Sequence, residues 1–414
     1  MVTAIASTKG DKFMSLYPSW SWKDAVDLWF YARDARAISA WRDEQFDRTW
    51  EALVAFYESH LHLFRYSTKR GQVVAPLLVR PEWLTLDSKS LRLHPSDDEF
   101  IFFPNGQQRR FLNQYHRVRK KLGQSEIWNG DIFRLVDFQT DESGVDLKFR
   151  RGKFFDAMMG QYILEHELRL ALTAAPVREV TDVSLPLRTK YARTETEILW
   201  YCHAFPCRIG ISNLLLFRSE DGYRPIVRRR GGQSLASGLC PVSSGIYDIT
   251  TDPAYARDVR FKVLTEVYEE LFGGDAEVAR PSGRLMPEAL YAKPGIRELH
   301  HALEHGGAHW DVTGLCVDLV RLVPEICTVL IVTDPDLFGT LRESMVLNLE
   351  YRHTDGMAPA IPLGVSDIEA YLTEEYPTIP GSLGTENGFD PKRWTLPGGF
   401  CFYQGVKRAF RISA

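Results

Sequence analysis

Residues 263–274 read Val-Leu-Thr-Glu-Val-Tyr-Glu-Glu-Leu-Phe-Gly-Gly, and their periodicity sets how the rest of the chain is understood. At 3.6 residues per turn, Val263, Leu264, Val267 and Leu271 fall on one stripe; Glu266 and Glu270 stack one turn apart with Glu269 beside them. The spacing predicts a helix from about Asp258 to Phe272, stopped by Gly273-Gly274, with its apolar stripe against a sheet. Three carboxylates within one turn repel one another. A hard dication, Mg²⁺ or Mn²⁺, relieves that repulsion through carboxylate, water and phosphate oxygens. The competing reading of the triplet is the solvated face of an amphipathic helix.

Upstream of this helix, Ile211–Phe217 is an apolar run suited to a buried strand. Asp221-Gly222 makes a turn, and Tyr223–Arg229 returns, with Arg228, Arg229 and Arg230 closing it at Gly231-Gly232. Further strands are expected at Asp311–Leu322, Cys327–Val332 and Met345–Tyr351, and a last helix at Pro397–Ala409. Strands flanking isolated helices imply a mixed α/β (α+β) sandwich. Nearer the N-terminus, stripes of Ala25, Trp29 and Ala32, then of Trp50, Val54, Tyr57 and Leu61, predict amphipathic helices. Ile132–Gln139 and Val145–Arg150 read as a hairpin, followed by a helix from Phe154 to Thr173. Two domains are expected: residues 1–190, mainly helical with that hairpin and of no assignable role, and residues 209–414, the α/β sandwich. Pro176, Pro186 and Pro206 mark the boundary.

With 414 residues, 44% of them apolar and 25% charged, the chain suits a soluble globular protein able to bury a large core. A net charge of −4 recruits neither nucleic acid nor an anionic membrane by bulk attraction. The basic run Arg109-Arg110 and His116–Lys121 reads as a solvated helix face rather than a nucleic-acid site. No stretch approaches the roughly 20 apolar residues of a membrane span, and a cytoplasmic protein is expected. Six cysteines without CxxC spacing are read as reduced, mostly buried thiols; Cys202-His203 with Cys207 lacks a second ligand pair for zinc. His301-Ala302-Leu303-Glu304-His305 fits the H-x-x-E-H zinc-protease pattern, but Gly306-Gly307 stops the helix and no third ligand follows, so exposed histidines are expected.

Thr265-Glu266-Val267-Tyr268-Glu269-Glu270 resembles the R-E-U-x-E-E core of the Nudix box, where U is aliphatic, and Gly245 resembles the glycine that opens that box. The chain also resembles large bacterial proteins with a Nudix-like second half, through Leu147-Lys148-Phe149, Phe154-Phe155-Asp156, Pro324-Glu325-Ile326, Met345-Val346-Leu347-Asn348 and Pro397-Gly398-Gly399. The box is degenerate: Thr265 replaces its arginine, Thr251 its first glutamate, the gap after Gly245 is long, and Gly273 comes one residue late. The resemblance implies an α/β/α sandwich over residues 209–414 and Mg²⁺- or Mn²⁺-dependent hydrolysis of a nucleoside diphosphate derivative. Glu266, Glu269 and Glu270 would hold the metal, Glu269 and Glu325 would serve catalysis, and Arg228, Arg229 or Arg230 would grip phosphate. The alternative it leaves open is an inactive Nudix fold acting as a nucleotide sensor, regulator or interaction module. The partner is a small-molecule nucleotide derivative in the first case, and a homodimer is one assembly open to it.

Overall fold

The computed structural model describes residues 44–68, 71–99, 130–141, 143–174, 183–204, 207–219, 222–230, 238–247, 255, 257–274, 285–345 and 390–413. Helix α1 (Glu44–Tyr57) leads into strands β1 (Leu63–Thr68) and β2 (Gly71–Leu78), then β3 (Leu91–Glu99). Strands β4 (Asp131–Asp141) and β5 (Gly144–Lys153) precede helices α2 (Phe154–Ala174), α3 (Pro186–Tyr191) and α4 (Glu195–Ala204). Next come β6 (Cys207–Arg208), β7 (Gly210–Ser219), β8 (Gly222–Arg230), β9 (Gly238–Pro241) and β10 (Ser243–Ile246). The chain continues through α5 (Val259–Leu271), α6 (Pro287–Tyr291), α7 (Ile296–His305), β11 (Ala308–Asp318), β12 (Val323–Val332), α8 (Leu337–Ser344) and α9 (Leu396–Ser413). The fold is a mixed α/β one.

Strand β12 is the centre. Its sequence, VPEICTVLIV, is apolar nearly throughout, as a strand covered on both faces requires, and all ten residues are buried. It pairs antiparallel with β11 and parallel with β7, in a sheet of order β1-β2-β11-β12-β7-β8-β9 with β10 also on β7. Side chains alternate across a strand, so the sheet has two apolar faces to cover. Helix α9 covers one: Gly405 lies against Leu214 and Val329, and Phe400 and Tyr403 meet Phe64 edge-on at 5.0 and 6.1 Å. Helix α5 packs on β10 and β7 on the other face, where Phe338 of α8 meets Phe217 at 4.8 Å. A second sheet, β3-β5-β4-β6, joins the first through Phe133 N–H donating to Tyr247 O at 3.2 Å.

The expected hairpin, α5, β7, β8 and α9 stand close to where periodicity placed them. Helix α1 buries Trp50, Leu53 and Tyr57 and leaves Val54 partly exposed. One expectation needs correction. The stretch after α1 is not helical: residues 63–99 carry three strands. Strand pairing also crosses the expected boundary near 190–209 among the described residues. Strand β2 pairs with β11, Leu78 opposite Val317, and residues 42–102 and 128–414 form one compact unit. Pro186 is not a linker breaker: it opens α3 at a position where a missing N–H costs nothing. The Ala25-Trp29-Ala32 stripe, the Arg109–Lys121 run and most of the Met345–Tyr351 strand lie outside the described residues. Among the described residues no helix is long and apolar enough to cross a membrane.

What joins the two halves is buried charge. The Arg188 guanidinium, fully enclosed, donates to the carbonyls of Leu164 at 3.2 Å, Val320 at 2.6 Å and Leu319, and to Tyr57 Oη at 3.2 Å. Beside it Glu165 accepts from Arg169 Nη2 and Arg321 Nε, each at 2.6 Å. Burial alone would raise the Glu165 pKa, but the two guanidinium groups outweigh it and hold the carboxyl at about 2, below its usual 4.5. A lowered folded-state pKa gives stability that is complete above the unfolded value and is lost as pH falls from about 4.5 towards 2. Glu165→Gln should therefore be about 3 kcal/mol less stable than wild type in urea at pH 7, and the gap should close across that acid window. Arg188→Lys should lower the unfolding free energy in urea at every pH, by about 3 kcal/mol, because an ammonium cannot reach three carbonyls in a fixed fork.

Candidate functional site

Helix α5 begins where Asp258 caps it, its carboxylate accepting from Arg260 N at 2.9 Å and Phe261 N at 3.3 Å. It ends at Gly273, whose φ of 67° is left-handed, and Gly274 N–H closes the turn on Tyr268 O at 3.1 Å. The stripe Val263, Leu264, Val267 and Leu271 is fully buried, as its spacing predicts. The polar side is enclosed too. Lys262, Thr265, Glu266 and Glu270 are buried and Glu269 is half-buried, so a solvated face is not what the triplet forms.

Glu266 lies over Gly245: a Cβ at that glycine would come within 2.2 Å of Glu266 Oε2. Gly245 and the acidic helix are thus in direct contact in the fold. Its charge is met by a lysine. Lys262 Nζ stands 2.7 Å from Glu266 Oε1, one turn earlier on the same helix, with both side chains almost fully enclosed. Thr265, at the place of the box arginine, turns back on its own helix and donates to Phe261 O at 3.0 Å. It therefore does nothing to position the carboxylates. Among the described residues no group of three or more His, Cys, Asp or Glu is arranged to hold a metal ion.

Glu325 sits at the start of β12, opposite Gly210 of β7. Ser212 Oγ donates to its Oε1 at 2.6 Å, and a Cβ at Gly210 would clash with its carboxylate. Gly245 pairs with Ile211, one residue along from Gly210. Strand alternation therefore directs Glu325 and Glu266 to opposite faces of the sheet, Glu325 towards the α9 side and Glu266 towards α5. Arg228, Arg229 and Arg230 occupy β8 opposite Cys240, Leu239 and Gly238, with β7 between them and β12.

The other motifs resolve as local structure. His301 and His305 are exposed, their rings stacked 4.0 Å apart, and Glu304 accepts from Arg260 at 3.3 Å. Cys202 and Cys207 are buried and both donate to Leu322 O at 3.4 Å, and the remaining four cysteines are buried as well. Sequence reasoning missed Lys262, Gly210 and Ser212. Only Lys262 left a signal, its i,i+4 spacing to Glu266. No protein-family model matches the chain, and no curated protein matches it.

The buried pair gives a measurable coupling. Lys262→Met strands an enclosed carboxylate and should cost about 3 kcal/mol in urea unfolding, whereas Lys262→Met with Glu266→Gln should recover most of that loss. Equal losses in the single and double variants would show that the pair is not what holds Glu266.

Proposed function

We propose that the chain is a Nudix-like protein that binds a nucleotide derivative and in which Lys262, rather than a dication, neutralises Glu266. The observation carrying this reading is the buried Lys262–Glu266 pair at 2.7 Å. A carboxylate that has lost its water needs a cation within about 4 Å, and an ammonium meets that need permanently and without open coordination positions for water or phosphate. Thr265 and the direction of Glu325 support the same conclusion, since neither positions the acids nor faces them. Six buried free thiols suit a reducing compartment, and we place the protein in the cytoplasm.

The hydrolase reading keeps one specific support: Glu266 touches the box glycine, Gly245, and shares a helix turn with Glu269 and Glu270. In that reading Glu266, Glu269 and Glu270 would hold Mg²⁺ or Mn²⁺, which would organise an attacking water. Lys262 would first have to leave Glu266. Incubation with ADP-ribose, NAD and dinucleoside polyphosphates separates the two. We expect a thermal shift with nucleotide that chelation leaves unchanged, and no product with Mg²⁺ or Mn²⁺. A metal-dependent product that disappears in Glu270→Gln would establish the hydrolase instead.

A further inference from the structure

About 10 Å along α5 from Glu266, at the other end of the helix, a cleft of about 410 Å³ opens between the first turn of α5, the end of α7 and the start of β11. Its size falls within the roughly 300–1,000 Å³ typical of small-molecule sites. Val259, Leu303 and Val312 give it apolar walls. Trp310 lines it, and the indole Nε1 is buried without a hydrogen-bond partner. Such an N–H has lost water and gained nothing in exchange, a cost that an acceptor reaching it from the cleft would remove.

The charged groups are distributed unevenly. Asp258 lines the cleft, but its carboxylate is engaged by the α5 backbone at Arg260 N and Phe261 N. Arg257 stands exposed at the rim. Arg260 is about one-third exposed and reaches Glu304 at 3.3 Å, a surface pair weak enough to yield to a competing anion. Two guanidinium groups at the mouth of a mainly polar cleft, with the Trp310 ring in its wall, suit a flat heteroaromatic ring carrying an anion, and guanidinium matches phosphate in geometry as well as charge. Strand β11 adds to this. From Ala308 to Cys316 it has a strand partner on one side only among the described residues, because β2 pairs with it just at Val317 and Asp318.

We infer that this cleft is where a nucleotide binds, its base against Trp310 and its phosphate towards Arg257 and Arg260. The inference rests on the nucleotide-binding reading above and gives it a location away from the acidic triplet. Calorimetric titration of the full chain with AMP, adenosine and inorganic phosphate tests it, using wild type, Arg257→Ala and Trp310→Phe. Wild type should bind AMP more tightly than adenosine or phosphate alone. Arg257→Ala should weaken AMP about tenfold and leave adenosine unchanged, and Trp310→Phe, which keeps a ring but removes the donor, should weaken both AMP and adenosine several-fold. Both variants should keep the wild-type thermal transition, since Arg257 is exposed and phenylalanine preserves most of the Trp310 packing. AMP binding of equal strength in all three proteins would overturn the cleft and leave the binding reading standing. No saturable binding of AMP to wild type would overturn both. Phosphate binding as tightly as AMP would show a simple anion site and overturn the nucleotide assignment.

Discussion

The buried guanidinium of Arg188 is the constraint on which the two halves of the structure depend. It is held in α3 and satisfies carbonyls from α2 and from the turn between β11 and β12, together with the Tyr57 hydroxyl of α1. That turn carries Leu322 at φ 54°, a left-handed conformation that a branched side chain rarely adopts. A turn of that kind persists only when its surroundings over-determine it, and here an arginine and two thiols bind its carbonyls. The strands on either side of the turn are the two longest neighbours in the sheet. The register of β11 on β12, and with it the position of every residue on α5's side of the sheet, follows from how this corner is fixed.

The acid-bearing helix shows the same logic at smaller scale. Gly210 and Gly245 are adjacent rungs of β7 and β10, and each admits a glutamate carboxylate where a Cβ would otherwise stand. A carboxylate pressed onto backbone loses its hydration and must be repaid locally. Glu266 receives an ammonium and Glu325 a serine hydroxyl. The two solutions differ because the faces differ. The α5 face admits a long basic side chain from the helix itself, and on the α9 face Phe400, Cys401 and Tyr403 are buried.

Much of this was legible in the sequence where a single physical signal dominated. The ends of α5 follow from an aspartate cap and a glycine stop, and the later part of β12 from the apolar run Cys327–Val332, whereas its first residues, with Pro324 and Glu325, look locally like a turn. Strands β1 and β2 were not legible. Leu63, Phe64 and Tyr66 have the aromatic weight of the helices before them, and only long-range pairing with a strand some 240 residues later decides the matter, a contact no local window contains. The contacts that cross the expected domain boundary were hidden for a related reason. Prolines at 176, 186 and 206 look like punctuation, but the short helix opened by Pro186 carries the arginine that binds the halves together. In the candidate site the acids were legible and their neutralisation was not. A lysine four residues before a glutamate is commonplace on exposed helices, and burial, which sequence does not reveal, turns that commonplace pair into the one that decides the chemistry.

Placing a lysine where the Nudix pattern calls for a dication changes what the helix can contribute. A dication brings charge together with vacant positions for phosphate oxygens and water, so recognition and reaction share one place. An ammonium brings charge without vacant coordination positions for phosphate or water. Recognition of an anionic ligand must then rest on other cations, and they must be ones that water still reaches, since an enclosed pair has nothing left to offer. In our proposal Arg257 and Arg260 meet that requirement near the first turn of α5, beside Trp310. In our proposal the helix holds its acids against the sheet at one end and offers the ligand's contacts at the other.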